Sequence, residues 1–363
     1  MISKKIGILN YYYSNENYGA VLQAYAIQDY LINLGYNVQI LNFRNFPRRP
    51  DRAIVTAIKS FIISNPFERF RKKWIKLSTP NYFWYSQLNN AFLDFDTFIV
   101  GSDQVWRASF GNSVAHFPHT AYYLSFVPEN KKRIAYGVSF GLDHWDVGLN
   151  IAFTAIAKRE IEKFNSISVR ESSGITICKD IFGVEATQVL DPTLLVGRSY
   201  FDRIIDNDIK DSLGGIIYYK LDTDTDFDAS IRFLSNELKI AATNIYYSSV
   251  KTVLNEKIFS FYEVNDWLRE IRDAELVVTD SFHCICFCIL FEKKFIYYPN
   301  KKRGMARLES LLGLIGLTDR IFVSSEEIRN TNIWNQSIDY VKVNNILDTE
   351  RSISAHFLKK ALS

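Results

Sequence analysis

Two short apolar runs, Ile6-Gly7-Ile8-Leu9 and Val38-Gln39-Ile40-Leu41, flank a segment whose apolar residues recur at helical spacing. That segment runs from Ala20 to Leu34, with Val21, Leu22, Tyr25, Ala26 and Leu31 on its stripe. Gly35 stands where such a helix would stop. Strand, helix and strand joined in this way form a βαβ unit, which makes the sheet parallel.

The alternation continues along the chain. Thr97–Val100, the run from Arg133 to Gly141, Ser166–Glu171 and Ala186–Pro192 read as strands, with a helix over Ile151–Phe164. A second series begins at Gly214. Its strands are Ile216–Tyr219, Asn244–Tyr247, Glu275–Val278, Phe295–Tyr298 and a short last one at Arg320–Val323. Its helices are Asp228–Leu238, Tyr262–Arg272, Phe282–Phe291 and Ala306–Leu317. At 363 residues the chain exceeds the usual size of one domain. The expected division is therefore 1–195, with a helical insertion over about 44–95, then 196–335, then a helical tail 336–363. Residues 193–213 are the expected linker, and the two α/β domains are expected to face each other across a cleft.

Composition narrows the class. A hydrophobic content of 47% supports packed cores, and a net charge of +3 argues against a dedicated nucleic-acid binder. The 15% aromatic content fits either a large aromatic core or a carbohydrate cleft or membrane-facing surface. Around 44–95 a basic loop (Arg44, Arg48, Arg49, Arg52) precedes Phe61, Phe67, Phe70, Trp74 and Trp84. This reads as a helical insertion, or as an acceptor-binding or membrane-apposed flap. The four cysteines, Cys178, Cys284, Cys286 and Cys288, form no CxxC pair and suit buried structural roles in a reduced, cytoplasmic protein. No metal site is expected. No apolar run reaches about 18 residues, so no transmembrane helix is expected.

Ligands of open α/β sheets bind beyond the carboxyl ends of the strands. Four stretches fall there. Thr279-Asp280-Ser281 ends a strand, and His283 lies in the first turn of the next helix, whose start suits an anion. Asp103-Gln104-Val105-Trp106-Arg107 follows Thr97–Val100 and sets an acid, an amide, an indole and a guanidinium side by side, as sugar recognition requires. It reads alternatively as a capped turn. Arg170 ends another strand, as a phosphate or carboxylate ligand or as an ion-pair partner of Glu171. The Asn17-Tyr18-Gly19 loop ends the first.

Taken together and in order, Asn17-Tyr18-Gly19-Ala20-Val21-Leu22-Gln23-Ala24-Tyr25-Ala26, Val100-Gly101-Ser102-Asp103-Gln104-Val105-Trp106, Ser168-Val169-Arg170-Glu171, Leu190-Asp191-Pro192-Thr193 and Thr279-Asp280-Ser281-Phe282-His283 resemble the polysaccharide pyruvyl transferase family. The resemblance covers roughly residues 4 to 317. It implies a GT-B-like fold of two Rossmann-type domains. It also implies transfer of a pyruvyl group from phosphoenolpyruvate to two hydroxyls of one sugar, in a surface polysaccharide or its lipid-linked precursor, with a cyclic ketal formed and phosphate released. Phosphoenolpyruvate is then a co-substrate and no cofactor is implied. The partners would be the donor and a glycan or lipid-linked acceptor, at the cytoplasmic membrane face.

On this reading His283 is general acid/base or a phosphate contact, and Asp103 a base or an acceptor-hydroxyl ligand. Arg170, Ser281, Arg303 and Arg307 serve the donor in the first and second domains, and Asn17, Tyr18, Gln104 and Trp106 serve the acceptor. Trp106 has core packing as its alternative. The chain departs from the family at Ser281, where some members carry arginine, and at Cys284, where many carry glycine. Arg303 and Arg307 are the cations that can replace that arginine. Two other functions share the fold: a GT-B glycosyltransferase using a nucleotide sugar, and a non-catalytic glycan-binding protein.

Overall fold

The structure is a computed structural model that describes residues 4–44, 65–89, 91–108, 118–147, 152–206, 210–220, 222–253, 256–300 and 304–363. It divides into two compact units. The first takes Met1–Ala53, Arg71–Val196 and Asp348–Ser363; the second takes Ile54–Phe70 and Gly197–Leu347.

The first unit is built on a six-stranded sheet. Its strands are β1 (Lys5–Leu9), β2 (Asn37–Ile40), β3 (Thr97–Asp103), β4 (Lys132–Val138), β5 (Ser166–Val169) and β6 (Thr187–Gln188), in the order β2-β1-β3-β4-β5-β6. Every pairing is parallel. Helix α1 (Tyr18–Asn33) returns the chain from β1 to β2, and α3 (Ala152–Ile161) lies between β4 and β5 in the chain. Asn17 starts it by accepting the Ala20 N–H at 3.1 Å, and Gly35, at φ 91°, ends it, a conformation that costs glycine nothing. Gln28 on α1 holds both backbone groups of Lys76, at 2.7 and 2.8 Å. That fixes Lys76–Ser78 beside β2, where Ile40 N donates to Lys76 O and Ser78 N to Ile40 O, both at 2.9 Å.

Because the sheet is parallel, both of its faces must be covered, and β3 is buried at every residue. Much of the aromatic surplus goes into this core. Phe92, Phe95, Phe98 and Phe126 pack largely edge to face, with centroids 5.7 to 6.2 Å apart. The last helix, α8 (Tyr340–Leu362), delivers its end to this unit. There Ser354 Oγ accepts from Leu190 N at 2.9 Å, and Lys4 and Lys132 donate to the carbonyls of Leu362 and Ala361 at 2.9 and 3.1 Å.

The second unit holds β7 (Ile216–Tyr219), β8 (Ala242–Asn244), β11 (Leu276–Thr279) and β12 (Lys294–Tyr297), in the parallel order β12-β11-β7-β8. Helices α4 (Thr225–Leu238), α5 (Val264–Asp273), α6 (Phe282–Leu290) and α7 (Ala306–Leu314) alternate with these strands. Helix α6 is buried on all sides, which is why its sequence is apolar without a polar stripe. It carries three of the four cysteines, and all four are buried and free. Between β8 and α5 an antiparallel hairpin of β9 (Ser249–Val253) and β10 (Glu256–Ser260) intervenes, which the sequence reading did not foresee.

Other expectations shift. The supposed linker 193–213 contains helical turns at Pro192–Val196 and Ser199–Ile205, and Phe201 packs edge-on against Phe287 at 4.8 Å. Arg320–Val323 is not a strand. A 3-10 turn occupies Thr318–Arg320, and Ile321 makes only a bridge to Tyr297. Of the stretch 44–95, residues 45–64 and 90 lie outside the described residues. The described part includes helix α2 (Pro66–Trp74) and bridges joining Leu77 and Tyr82 to Ile40 and Phe43. Among the described residues no helix is long and apolar enough to cross a membrane.

Candidate active site

In each sheet the strand order reverses once, and ligands of such sheets bind beyond the carboxyl ends at that reversal. In the first unit the reversal lies between β1 and β3. Asp103 is the last residue of β3 and has φ 70°. Left-handed backbone is rare outside glycine, and such strain concentrates at functional positions. The turn is fixed by the Asp103 carbonyl, which accepts from Val105 N at 2.8 Å and Ser139 N at 3.0 Å.

Behind Asp103 lies a buried charged cluster. Arg170, its side chain 2% exposed, gives Nη1 to Asp191 Oδ2 at 2.8 Å and Nη2 to Asp103 Oδ1 at 3.4 Å. Burial by itself would lower the guanidinium's pKa. Asp191, Asp103 and Glu171 more than offset that, so it is raised and the charge is held. Asp191 also accepts from Ser102 Oγ at 2.8 Å and from Thr193 N and Oγ1 at 2.9 and 2.7 Å. Glu171 turns away from this pair. Its Oε1 accepts from Ser139 Oγ, Phe140 N and Gly141 N at 2.9, 2.7 and 3.2 Å. Arg170 is thus a buried support for Asp103. As an open ligand for a donor phosphate it is already occupied, and its partner is not the neighbouring Glu171 but Asp191, 21 residues on.

Tyr11 stands two residues beyond β1, and burial first, then Tyr13, the Asp103 carboxylate and Tyr123 raise its phenol well above the usual value. Its ring lies 4.6 Å from that of Tyr122.

The acceptor set divides. Trp106, expected to stack on a sugar, is 0% exposed. It stacks on Tyr123 at 5.6 Å and donates Nε1–H to the Tyr122 carbonyl at 3.0 Å, so core packing is the correct alternative. Tyr18 is likewise enclosed in the first turn of α1 and cannot meet a glycan in this structure. Gln104 is half-buried at the rim and accepts from Arg107 Nη1 at 2.8 Å. Asn17 is exposed and caps α1.

In the second unit the reversal lies between β7 and β11. Lys220 follows β7 and Asp280 follows β11, and their Nζ and Oδ2 meet at 3.1 Å. Thr279 Oγ1 ties the two strand ends together. It donates to Tyr219 O at 2.6 Å and accepts from Ser281 N at 3.0 Å. Ser281 caps α6 by accepting Cys284 N at 3.4 Å. His283 is buried in the first turn, and its ring stands edge-on to Phe282 at 5.4 Å. Arg307, from the first turn of α7, lies over the Phe282 ring at 6.0 Å. The structure thus gathers Ser281, His283 and Arg307 around Phe282, while Arg303 lies outside the described residues. The sequence reading gave no site role to Lys220, Asp191 or Tyr11, though Lys220 directly follows β7 and Asp191 stands in one of the quoted motifs. Among the described residues no cluster of three or more His, Cys, Asp or Glu side chains is arranged to hold a metal.

A family model described as polysaccharide pyruvyl transferase matches residues 17–302. No curated protein sequence matches the chain. Among solved structures, UDP-GlcNAc 2-epimerase of Methanocaldococcus jannaschii is 10% identical over 96% of this chain and 99% of its own, with a TM-score of 0.51. S. aureus MnaA with UDP is 9% identical over 91% and 87%, also at 0.51. Medicago truncatula UGT71G1 is 12% identical over 96% and 94%, at 0.50. At such identities the likeness is one of fold, the GT-B-like pair of Rossmann-type domains with parallel sheets.

Proposed function

The chain belongs to the polysaccharide pyruvyl transferase family, and on that premise we propose that it moves a pyruvyl group from phosphoenolpyruvate to two hydroxyls of one sugar. The acceptor is a surface polysaccharide or its lipid-linked precursor, met at the cytoplasmic face of the membrane. The reaction protonates the donor's methylene carbon, which makes the adjacent carbon electrophilic. One sugar hydroxyl adds there and loses its proton, phosphate leaves, and the second hydroxyl closes the ketal.

The observation that carries this reading is Asp103, an acid held in left-handed backbone at a strand-order reversal and backed by a buried arginine. A carboxyl in that setting suits a hydroxyl donor, as base or hydrogen-bond acceptor. The second domain suits the donor. His283 supplies acid/base capacity, the start of α6 a positive dipole end, and Arg307 a cation. With Arg170 engaged by Asp103 and Asp191, we assign it to positioning Asp103.

Incubation of the full chain with phosphoenolpyruvate and a panel of nitrophenyl glycosides and lipid-linked oligosaccharides tests the proposal. The expected result is a mass gain equal to a pyruvyl ketal with equimolar phosphate. Stabilisation by a nucleotide sugar and none by phosphoenolpyruvate would instead favour a glycosyltransferase.

A further inference from the structure

Lys220 directly follows β7, and its side chain is 3% exposed. An ammonium has three hydrogens to donate. Among the described residues the hydrogen bond it makes is to Asp280, at 3.1 Å. The faces of Phe227 and Tyr298 flank it, 5.6 and 5.5 Å from Nζ. Aromatic faces attract the cation but take up none of its hydrogen bonds in full. Among the described residues its other two hydrogens meet no acceptor, and a buried donor is costly to leave so.

The position gives the acceptor a class. Lys220 and Asp280 end the two strands between which the order of this sheet reverses, the place where such sheets receive ligands. The start of α6 follows directly after Asp280, so its positive dipole end adds to the ammonium. Both favour an anion. Lysine acts as a compact point charge with three donors and is a common phosphate ligand. A serine at position 281, where the resemblance allows an arginine, leaves room for a cation from another strand.

We propose that Lys220 is a phosphate-binding residue of the second domain. This rests on the reading of phosphoenolpyruvate as donor, and it names the residue that holds that donor's phosphate. On binding, phosphate oxygens take the two remaining hydrogens while the Asp280 contact persists.

The test is calorimetry on the full chain with phosphoenolpyruvate, inorganic phosphate and pyruvate as separate probes. Lys220→Met alone strands a buried carboxylate and risks unfolding, so Lys220→Met/Asp280→Asn, which removes both charges, is the primary variant. Its unfolding midpoint is recorded beside each titration. The expected result is phosphoenolpyruvate and phosphate binding weakened by about tenfold to a hundredfold in the double variant, the loss of a charge-assisted contact. Asp280→Asn alone keeps the ammonium and should bind phosphate at least as tightly as the parent. Unchanged affinity in the folded double variant overturns the proposal. So does an equal loss in Asp280→Asn, which would mark the pair as structural. Should the parent bind phosphate but not phosphoenolpyruvate, the donor reading fails while the effect of the double variant on phosphate still decides Lys220. Binding of neither overturns both.

Discussion

Arg170 gives its shorter contact to Asp191, 2.8 Å, and its longer one to Asp103, 3.4 Å. The two carboxylates are not equivalent. Asp191 is completely enclosed and satisfied by Ser102 and Thr193, while the Asp103 side chain is 11% exposed at the end of β3. One aspartate anchors the arginine, and the arginine steers the other.

Arg170→Ala should therefore act first on stability. It leaves buried carboxylates uncompensated, a loss of about 3–5 kcal/mol. Asp103→Asn should behave in the opposite way, since asparagine tolerates left-handed backbone and Asp191 still pairs with the arginine. Its unfolding midpoint in urea should lie close to the parent's while ketal formation falls by about a hundredfold or more. A fully active Asp103→Asn variant removes the residue from the chemistry.

Trp106→Phe should cost about 1–3 kcal/mol, because the Tyr122 carbonyl loses its donor and Tyr123 part of its stacking surface. Acceptor KM, measured on the folded fraction, should not change. A raised KM at unaltered stability would return Trp106 to the glycan.

His283→Ala should slow phosphate release from phosphoenolpyruvate by about 10²–10⁴-fold, the usual share of a general acid/base group. Circular dichroism should still show the parent's fold. Turnover within a factor of about three of the parent is the outcome that would sink the assignment.

Glu270, buried on α5, has its carboxyl pushed upward by burial first, with the Leu213 N–H at 2.8 Å opposing and Asp266 and Asp273 adding to the rise. An acid whose folded value lies above its unfolded 4.5 holds its proton more tightly when folded. Its contribution is therefore full below 4.5 and is lost as pH rises through the folded value. Urea midpoints measured upward from pH 4.5 should decline more steeply in the parent than in Glu270→Gln. Parallel curves would show that Glu270 does not titrate in that window.

Most strands were legible because buried parallel strands are near-continuous apolar runs, as in Leu276–Val278 and Thr97–Val100. Their carboxyl ends were legible with them, which is how Asp103, Arg170, Ser281 and His283 came to notice. What the chain order hides is which strand ends adjoin. Lys220 and Asp280 are 60 residues apart, and only the pairing of β7 with β11 joins them. The polar neighbours of Trp106 suggested a sugar site, but Tyr122 and Tyr123, which enclose it, follow residues whose sequence carries no periodic signal. The β9–β10 hairpin lacked a tight-turn signature; the cross-strand pairing of Ser249–Val253 with Glu256–Ser260 became evident only in three dimensions.

The first unit takes in Asp348–Ser363, whose Ser354, Ala361 and Leu362 bond to Leu190, Lys132 and Lys4. On the ribosome, domains generally fold as they emerge, the N-terminal one first. Here the unit that holds β1 lacks these partners until Asp348–Ser363 has been synthesised, after Gly197–Leu347 of the other unit. Its assembly therefore waits on the synthesis of Asp348–Ser363. A ribosome stalled before residue 348 would present an incomplete first domain, however long its nascent chain had waited.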